Sequence, residues 1–108
     1  MQIEHFTSFA GEDVFGDWLD GLNDAQAAAR VAIRIDRMKN GNFGDTKHLV
    51  AGVYELRIDF GPGYRVYYAR VDSICVLLLC GGDKRKQSAD IKRAIGYWKE
   101  YQSRRMNL

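Results

Sequence analysis

Glu55, Arg57, Arg65 and Tyr67 place a carboxylate, two guanidinium groups and a phenol on two neighbouring segments of alternating character. A basic run, Lys84-Arg85-Lys86, follows the apolar stretch Ile74–Cys80, and Lys47 and His48 precede the first alternating segment. Arginine suits bidentate contact with phosphate oxygens and lysine acts as a mobile point charge, so this set fits phosphate binding. With a carboxylate and an aromatic hydroxyl added, it also fits phosphodiester cleavage. In that reaction a base removes the ribose 2′-hydroxyl proton, cations stabilise the crowded phosphorane, and an acid protonates the leaving 5′-oxygen. The same residues would also serve as cross-strand Glu–Arg and Asp–Arg pairs on a solvated sheet face, for stability alone.

Other chemistries lack their patterns. Gly81-Gly82-Asp83-Lys84 does not have the spacing of a P-loop, and no GxSxG, paired-histidine or dinucleotide-binding motif is present. Cys75 and Cys80 are five residues apart. On one strand that is about 16 Å with the side chains on opposite faces, beyond disulfide reach. His5 and His48 have no ligand-spaced partner, so the cysteines read as small buried hydrophobes and neither metal nor cofactor is expected.

The chain has 108 residues, 46% hydrophobic and 28% charged, which fits one folded domain over 1–108 and excludes a disordered or low-complexity chain. Ile74–Cys80, the longest apolar run, is far short of the roughly 20 residues that span a bilayer. No basic-then-apolar signal opens the sequence, so no membrane association and a cytoplasmic location are expected. The net charge of +2 is unevenly spread: residues 1–29 carry −6, residues 30–80 carry +3 and residues 81–108 carry +5. Such asymmetry suggests a polyanionic partner on one face, although solvated helix faces produce it too.

The elements that must position these groups follow from periodicity. Ile3–Phe6 reads as an edge strand, and Thr7 or Ser8 as the cap of a helix whose stripe is Val14, Phe15, Trp18, Leu19 and Leu22. Asn23-Asp24 separates a second helix with Ala28, Val31, Ala32, Ile35 and Met38 inward, ending at Gly41. Arg30, Arg34 and Arg37 form a row on another face, either solvated or part of a docking surface. Residues 42–52 read as loop, Val53–Phe60, Tyr64–Val71 and Ile74–Cys80 as strands, and Asp90–Tyr101 as a helix. The order βααβββα implies an α+β domain, an antiparallel three-strand meander with all helices on one face. The other face is then free to be polar.

Register can be argued across the Gly61-Pro62-Gly63 turn. Pairing Phe60 with Tyr64 sets Arg57 opposite Tyr67 and Asp59 opposite Arg65. An odd shift would put the polar set of one strand beside the apolar set of the other, which burial forbids. Glu55, Arg57, Arg65 and Tyr67 therefore share one face, expected to be exposed. A two-residue Asp72-Ser73 loop would set Cys80 opposite Arg65.

Larger segments resemble a known family. Asp17-Trp-Leu-Asp20 with Leu22, Arg30…Arg34-Ile-Asp-Arg37 and Gly41-Asn-Phe-Gly-Asp45 are followed by Gly52-Val-Tyr-Glu-Leu-Arg-Ile58 and Gly61-Pro-Gly-Tyr-Arg-Val-Tyr-Tyr68. Leu77-Leu-Leu-Cys-Gly-Gly-Asp-Lys84, Gln87 and Asp90-Ile91 complete the pattern. In this order they are similar to the HigB-like "addiction module killer" branch of the bacterial RelE/ParE toxin superfamily, from about Phe9 to Tyr101. The resemblance implies a RelE-like α+β toxin of a type II toxin–antitoxin pair, neutralised by a cognate helix-turn-helix antitoxin. Operator DNA would be reached only through the antitoxin complex. It further implies a metal-independent ribonuclease cutting mRNA on the ribosome. Arg57 and Arg65 then match the sheet arginines at the scissile phosphate, Lys84 the basic residue after the last strand, and Glu55 the carboxylate some relatives use as a base. Lys47 lies in a lysine-bearing loop, with His48, Arg85 and Lys86 as further candidates for RNA contact. Several relatives carry Tyr or His after the final strand; here the sequence reads Lys-Gln-Ser-Ala-Asp, which leaves Tyr67 as a substitute and His48 as a weaker one. The superfamily also contains ParE-like members that poison DNA gyrase without cleaving RNA, so a non-nuclease binding toxin is the alternative.

Overall fold

Three central strands, with helices that cover both of their faces, account for the architecture. The computed structural model describes residues 1–106. In order these form β1 (Gln2–His5), α1 (Val14–Asp20), α2 (Ala25–Lys39), β2 (Thr46–Val50), β3 (Val53–Ile58), β4 (Tyr64–Arg70) and β5 (Cys75–Asp83). A single 3₁₀ turn over Lys84–Lys86 then leads into α3 (Gln87–Met106). The strands make one mixed sheet ordered β1-β5-β4-β3-β2. β1 lies parallel to β5, pairing Gln2 with Cys75, and all other neighbours are antiparallel. The α+β class is as expected, and β1 is an edge strand, but the sheet has five strands rather than four.

The additional strand is β2, within the segment read as loop. Its sequence, Thr-Lys-His-Leu-Val, has little apolar content because it forms the other sheet edge, where polar residues suit an unpaired backbone. A tight turn at Ala51 (φ 57°) and Gly52 (φ 87°) joins it to β3. This positive-φ pair is the geometry whose twist matches a two-residue hairpin.

The helices do not share one face. On one side, Phe15 of α1 and Ala27, Val31 and Met38 of α2 pack on Leu56, Ile58, Val66, Tyr68, Val76 and Leu78. On the other, Ala94 and Trp98 of α3 pack with Phe6 on Val53, Tyr67, Ala69, Leu77 and Leu79. The face that bears the charged residues of β3 and β4 is apolar over its other half, and α3 covers that half. A central strand buried on both faces also explains why Cys75–Cys80 is uninterruptedly apolar.

Gly81 and Gly82 continue β5 rather than ending it. A Cβ on Gly81 would lie 2.2 Å from Trp18, and one on Gly82 would lie 1.9 Å from an Asp90 carboxylate oxygen. The glycine pair is the clearance for α1 on one face and α3 on the other. Helix ends also shift: Asp13, not Thr7 or Ser8, caps α1 by accepting from the Gly16 N–H at 3.0 Å. α3 begins at Gln87 and extends to Met106, longer at both ends than its apolar stripe indicates. Among the described residues no helix is long and apolar enough to cross a membrane.

Candidate functional site: a cationic cleft over a buried carboxylate

The polar end of the α3-covered face is built from two cross-strand rows. One runs Lys47 (β2), Glu55 (β3), Tyr67 (β4), Cys80 (β5); the next sets Arg57 opposite Arg65 and Arg65 opposite Gly82. Residue parity is as expected, but the pairing is shifted by two residues. Arg57 faces Arg65 instead of Tyr67, and Tyr67 faces Glu55. The cause is the turn, which spans Asp59–Gly63 between the paired Ile58 and Tyr64. Cys80 likewise faces Tyr67 rather than Arg65. The loop after β4 is closed by the Val71 N–H donating to the Cys75 carbonyl, one residue longer than expected, and a β-bulge follows in β5.

Two arginines directly opposite one another repel, and a counter-charge must hold them there. Glu55 supplies it. Its side chain is fully buried, and one carboxylate oxygen accepts from Arg57 Nε at 2.8 Å, with Arg65 Nε at 3.8 Å. The second oxygen accepts from Gln87 Nε2, on the first residue of α3, at 2.7 Å. Burial pushes this carboxyl up, but the hydrogen bonds from Arg57 and Gln87 and the charges of Arg57 and Arg65 outweigh it. The acid is held below its ordinary value. Half-buried Arg57 and more deeply set Arg65 then open into a cleft of about 320 Å³.

Lys84 also lines the cleft, positioned by its backbone N–H donating to the Gly63 carbonyl at 2.9 Å. Gly63 is required twice over: its φ is +82°, and a Cβ there would approach Arg65 Nη1 to 3.3 Å. Asp45 and Asp59 line the same cleft and are open to solvent. Arg34 of α2 fastens the loop that carries Asp45, donating to the carbonyls of Arg57, Phe43 and Asp45. One member of the α2 arginine row is thus a strap between loop and sheet rather than a solvated charge.

The proposed site residues divide accordingly. Arg57, Arg65 and Lys84 meet in one cleft, with Glu55 and Tyr67 in the buried row beside it. The face they share is therefore covered at Glu55 and Tyr67, not exposed. Lys47, paired with Glu55 on the exposed edge strand, stands at the rim. His48 points to the other face, with its ring 5.0 Å from that of Tyr54. Arg85 is paired with Asp83 at 2.8 Å, and with exposed Lys86 it lines a separate groove beside Trp18.

Tyr67 is fully buried, and among the described residues its hydroxyl has no hydrogen-bond partner. Burial, then the charges of Glu55 and Asp90, push the phenol above its ordinary value, so it stays protonated. Cys80, which contacts the Asp90 carbonyl, is pushed up to about 12 by burial and is a neutral thiol. Gln87 and Asp45 received no role from the sequence; Arg34 was read only as one of a row, and Asp59, expected opposite Arg65, lies instead in the turn after β3. Gln87 is uncharged, so a search by charge passes over it, although it stands in the family pattern one residue beyond the basic turn.

Residues 17–95, well over half the chain, match the family described as "Phage derived protein Gp49-like (DUF891)". A relative from Haemophilus influenzae, itself described as an uncharacterized protein, is 50% identical over 80 residues, covering 74% of this chain and 81% of its own. The chain belongs to the Gp49-like phage-derived family, a toxin–antitoxin-associated family related to RelE.

Proposed function

We propose that the protein is the toxin of a type II toxin–antitoxin module of the HigB-like kind, a ribosome-dependent, metal-independent mRNA endonuclease silenced by a helix-turn-helix antitoxin. The observation that carries this reading is the convergence of Arg57, Arg65 and Lys84 on one cleft above a buried counter-charge, in a chain of a toxin–antitoxin-associated family. An antitoxin partner follows from the family; operator DNA would be met only through that partner.

In the proposed reaction Arg57 and Arg65 bind the non-bridging oxygens of the scissile phosphate. The ribose 2′-oxygen loses its proton and attacks phosphorus, and the bond to the 5′-oxygen breaks as that oxygen gains a proton. The products are a 2′,3′-cyclic phosphate and a 5′-hydroxyl. The fixed guanidinium groups bear the charge that accumulates on the phosphorane, where preorganised cations act most strongly. Lys84, which lines the same cleft, can neutralise or protonate the departing oxygen. Asp45 and Asp59 are the carboxylates that face solvent in the cleft and can receive the 2′-hydroxyl proton. Tyr67, buried in the row beside Glu55 and outside the cleft lining, does not reach the departing oxygen.

The test is mRNA cleavage in a translating extract. Wild type is expected to cut within ribosome-bound message, and Lys84→Ala to cut about 100-fold more slowly, as for loss of one preorganised charge, while still binding antitoxin. Undiminished cleavage by an Arg65→Ala, Lys84→Ala double variant would reject the site. Intact mRNA with blocked gyrase supercoiling would replace the nuclease reading with that of a binding toxin.

A further inference from the structure

We infer that Gln87 is a positioning residue of the cleft: from the first turn of α3 it locks the Glu55 carboxylate as the shared counter-charge of Arg57 and Arg65, and so keeps that carboxylate from acting as the proton acceptor. The clamp itself is independent of the endonuclease reading; its consequence for cleavage rests on it.

Three observations carry the inference. Both Glu55 oxygens are engaged, one by Arg57 at 2.8 Å and the other by Gln87 at 2.7 Å, and the side chain is fully buried. A general base must reach the proton it removes, directly or through one water. Glu55 is buried and does not line the cleft, whereas the Arg57 and Arg65 it holds do. The second observation is the like-charge pair. Arg57 and Arg65 sit directly opposite on β3 and β4 with Glu55 between their Nε atoms, at 2.8 and 3.8 Å. Without a fixed anion they would splay, and the geometry that receives a phosphate would be lost. The third is the source of Gln87. It begins α3 directly after the turn that carries Lys84, so a single hydrogen bond ties that turn to the counter-charge of the arginines.

The surroundings leave Gln87 with a distinct part. On its own strand Glu55 meets Arg57; β2 presents Lys47, β4 presents Arg65 and Tyr67, β5 ends the row with Cys80, and α3 contributes Asp90 near Tyr67. Arg57 and Arg65, the two cations paired with Glu55, both lie against one of its oxygens. Gln87 is the neutral donor that satisfies the far oxygen, where an unpaired lone pair in a buried site would be costly.

The test uses the full-length protein with ¹³C-labelled glutamate and follows the Glu55 carboxyl by NMR as pH is lowered, with no RNA present. Gln87→Met keeps the side-chain length and removes the donor. The Glu55 titration is expected to move up by about one to two pH units, the equivalent of one hydrogen bond to a charged group. Gln87→Lys restores a donor and returns the titration to the wild-type position or below. A folded Gln87→Met with an unmoved Glu55 titration overturns the clamp. If Gln87→Met does not fold, Gln87→Asn, with its amide withdrawn by one methylene, is expected to show the same upward direction, and no movement there overturns it equally.

Affinity for an uncleavable 2′-deoxy oligonucleotide, set beside single-turnover cleavage, then separates counter-charge from base. With Glu55 as counter-charge, affinity and cleavage rate fall together as the Glu55 carboxyl is protonated, and in Gln87→Met both fall at higher pH. Affinity that holds through the Glu55 titration while cleavage is lost identifies Glu55 as the base and overturns that part. Wild type that cuts no RNA rejects the endonuclease reading instead, and the NMR comparison still decides the clamp.

Discussion

Glu55 stabilises the fold as an anion, and that fixes the sign of one pH dependence. Its carboxyl titrates below its ordinary 4.5 in the folded state. The stabilisation is therefore fully present above 4.5 and is lost as pH falls through the lower, folded value. Glu55→Gln is expected to unfold at lower urea than wild type at neutral pH. The difference should close as pH falls below the folded value, where wild type carries a neutral acid too. Equal midpoints at pH 7 would show that the ion pairs contribute nothing. At this scale the sequence showed the residue types and, through strand parity, which of them share a face. It did not show the partner across each strand, because that depends on turn length, and a turn of five residues in place of three moves every pair by two. Nor could it show that the face is covered: Glu55, Arg57, Arg65 and Tyr67 outweigh Val53 and Ala69 when polarity is read along β3 and β4 alone. Gln87 was legible as part of a family pattern, and its role was not, since a neutral amide acquires meaning only from the buried oxygen it meets.

Among the elements, those with a strong apolar period were legible and the polar edge was not. α1 and the three central strands follow their stripes, and α2 does at Val31, Ile35 and Met38, with Ala27 buried and Ala32 exposed against expectation; β2 lacks one, since it pairs on one side only and buries little. Its turn is also where a local rule is broken. Ala51 adopts φ 57°, a left-handed conformation that costs an L-residue about 1 kcal/mol or more. Asparagine tolerates that conformation, and an Asn-Gly pair is the favoured two-residue hairpin turn. Ala51→Asn should thus raise unfolding stability by about 0.5–1 kcal/mol, measured by urea denaturation, without altering the cleft. A decrease would mean that the Ala51 side chain contributes packing which its exposed position does not suggest. The same reasoning explains why α3 surpassed its predicted bounds. Asp83 caps the preceding 3₁₀ turn by accepting from the Arg85 N–H at 2.9 Å, so helical geometry starts before the first apolar residue of the stripe.

For the whole molecule, the charge gradient along the chain becomes a gradient in space only in part. The acidic residues of the first 29 positions lie on β1, α1 and the connections around them, while the cleft gathers cations from β3, β4 and the turn after β5. Binding of a single-stranded RNA to that cleft should release counterions and weaken with salt. Replacing one phosphate-binding cation reduces the slope of log K against log [salt] by about 0.7. Lys84→Ala is expected to show that reduction with a 2′-deoxy oligonucleotide that cannot be cut, read by fluorescence anisotropy. Arg85→Ala should leave the slope nearly unchanged, because Arg85 is already paired with Asp83. Equal slopes for wild type and both variants would place RNA elsewhere on the surface.

The parallel pairing of β1 with β5 also imposes an order on synthesis. Gln2 must wait for Cys75, and Glu55 must wait for Gln87. Joining segments so distant in the chain carries a loop-closure cost that is recovered only when both partners are present. A nascent chain that stalls before β5 has neither its first strand docked nor the Gln87 bond to the counter-charge of its arginines, although Arg57 and Arg65 have already been made. The polypeptide becomes capable of holding a phosphate only once α3 has begun, and translation products that stop short of it carry charges of the cleft without its shape.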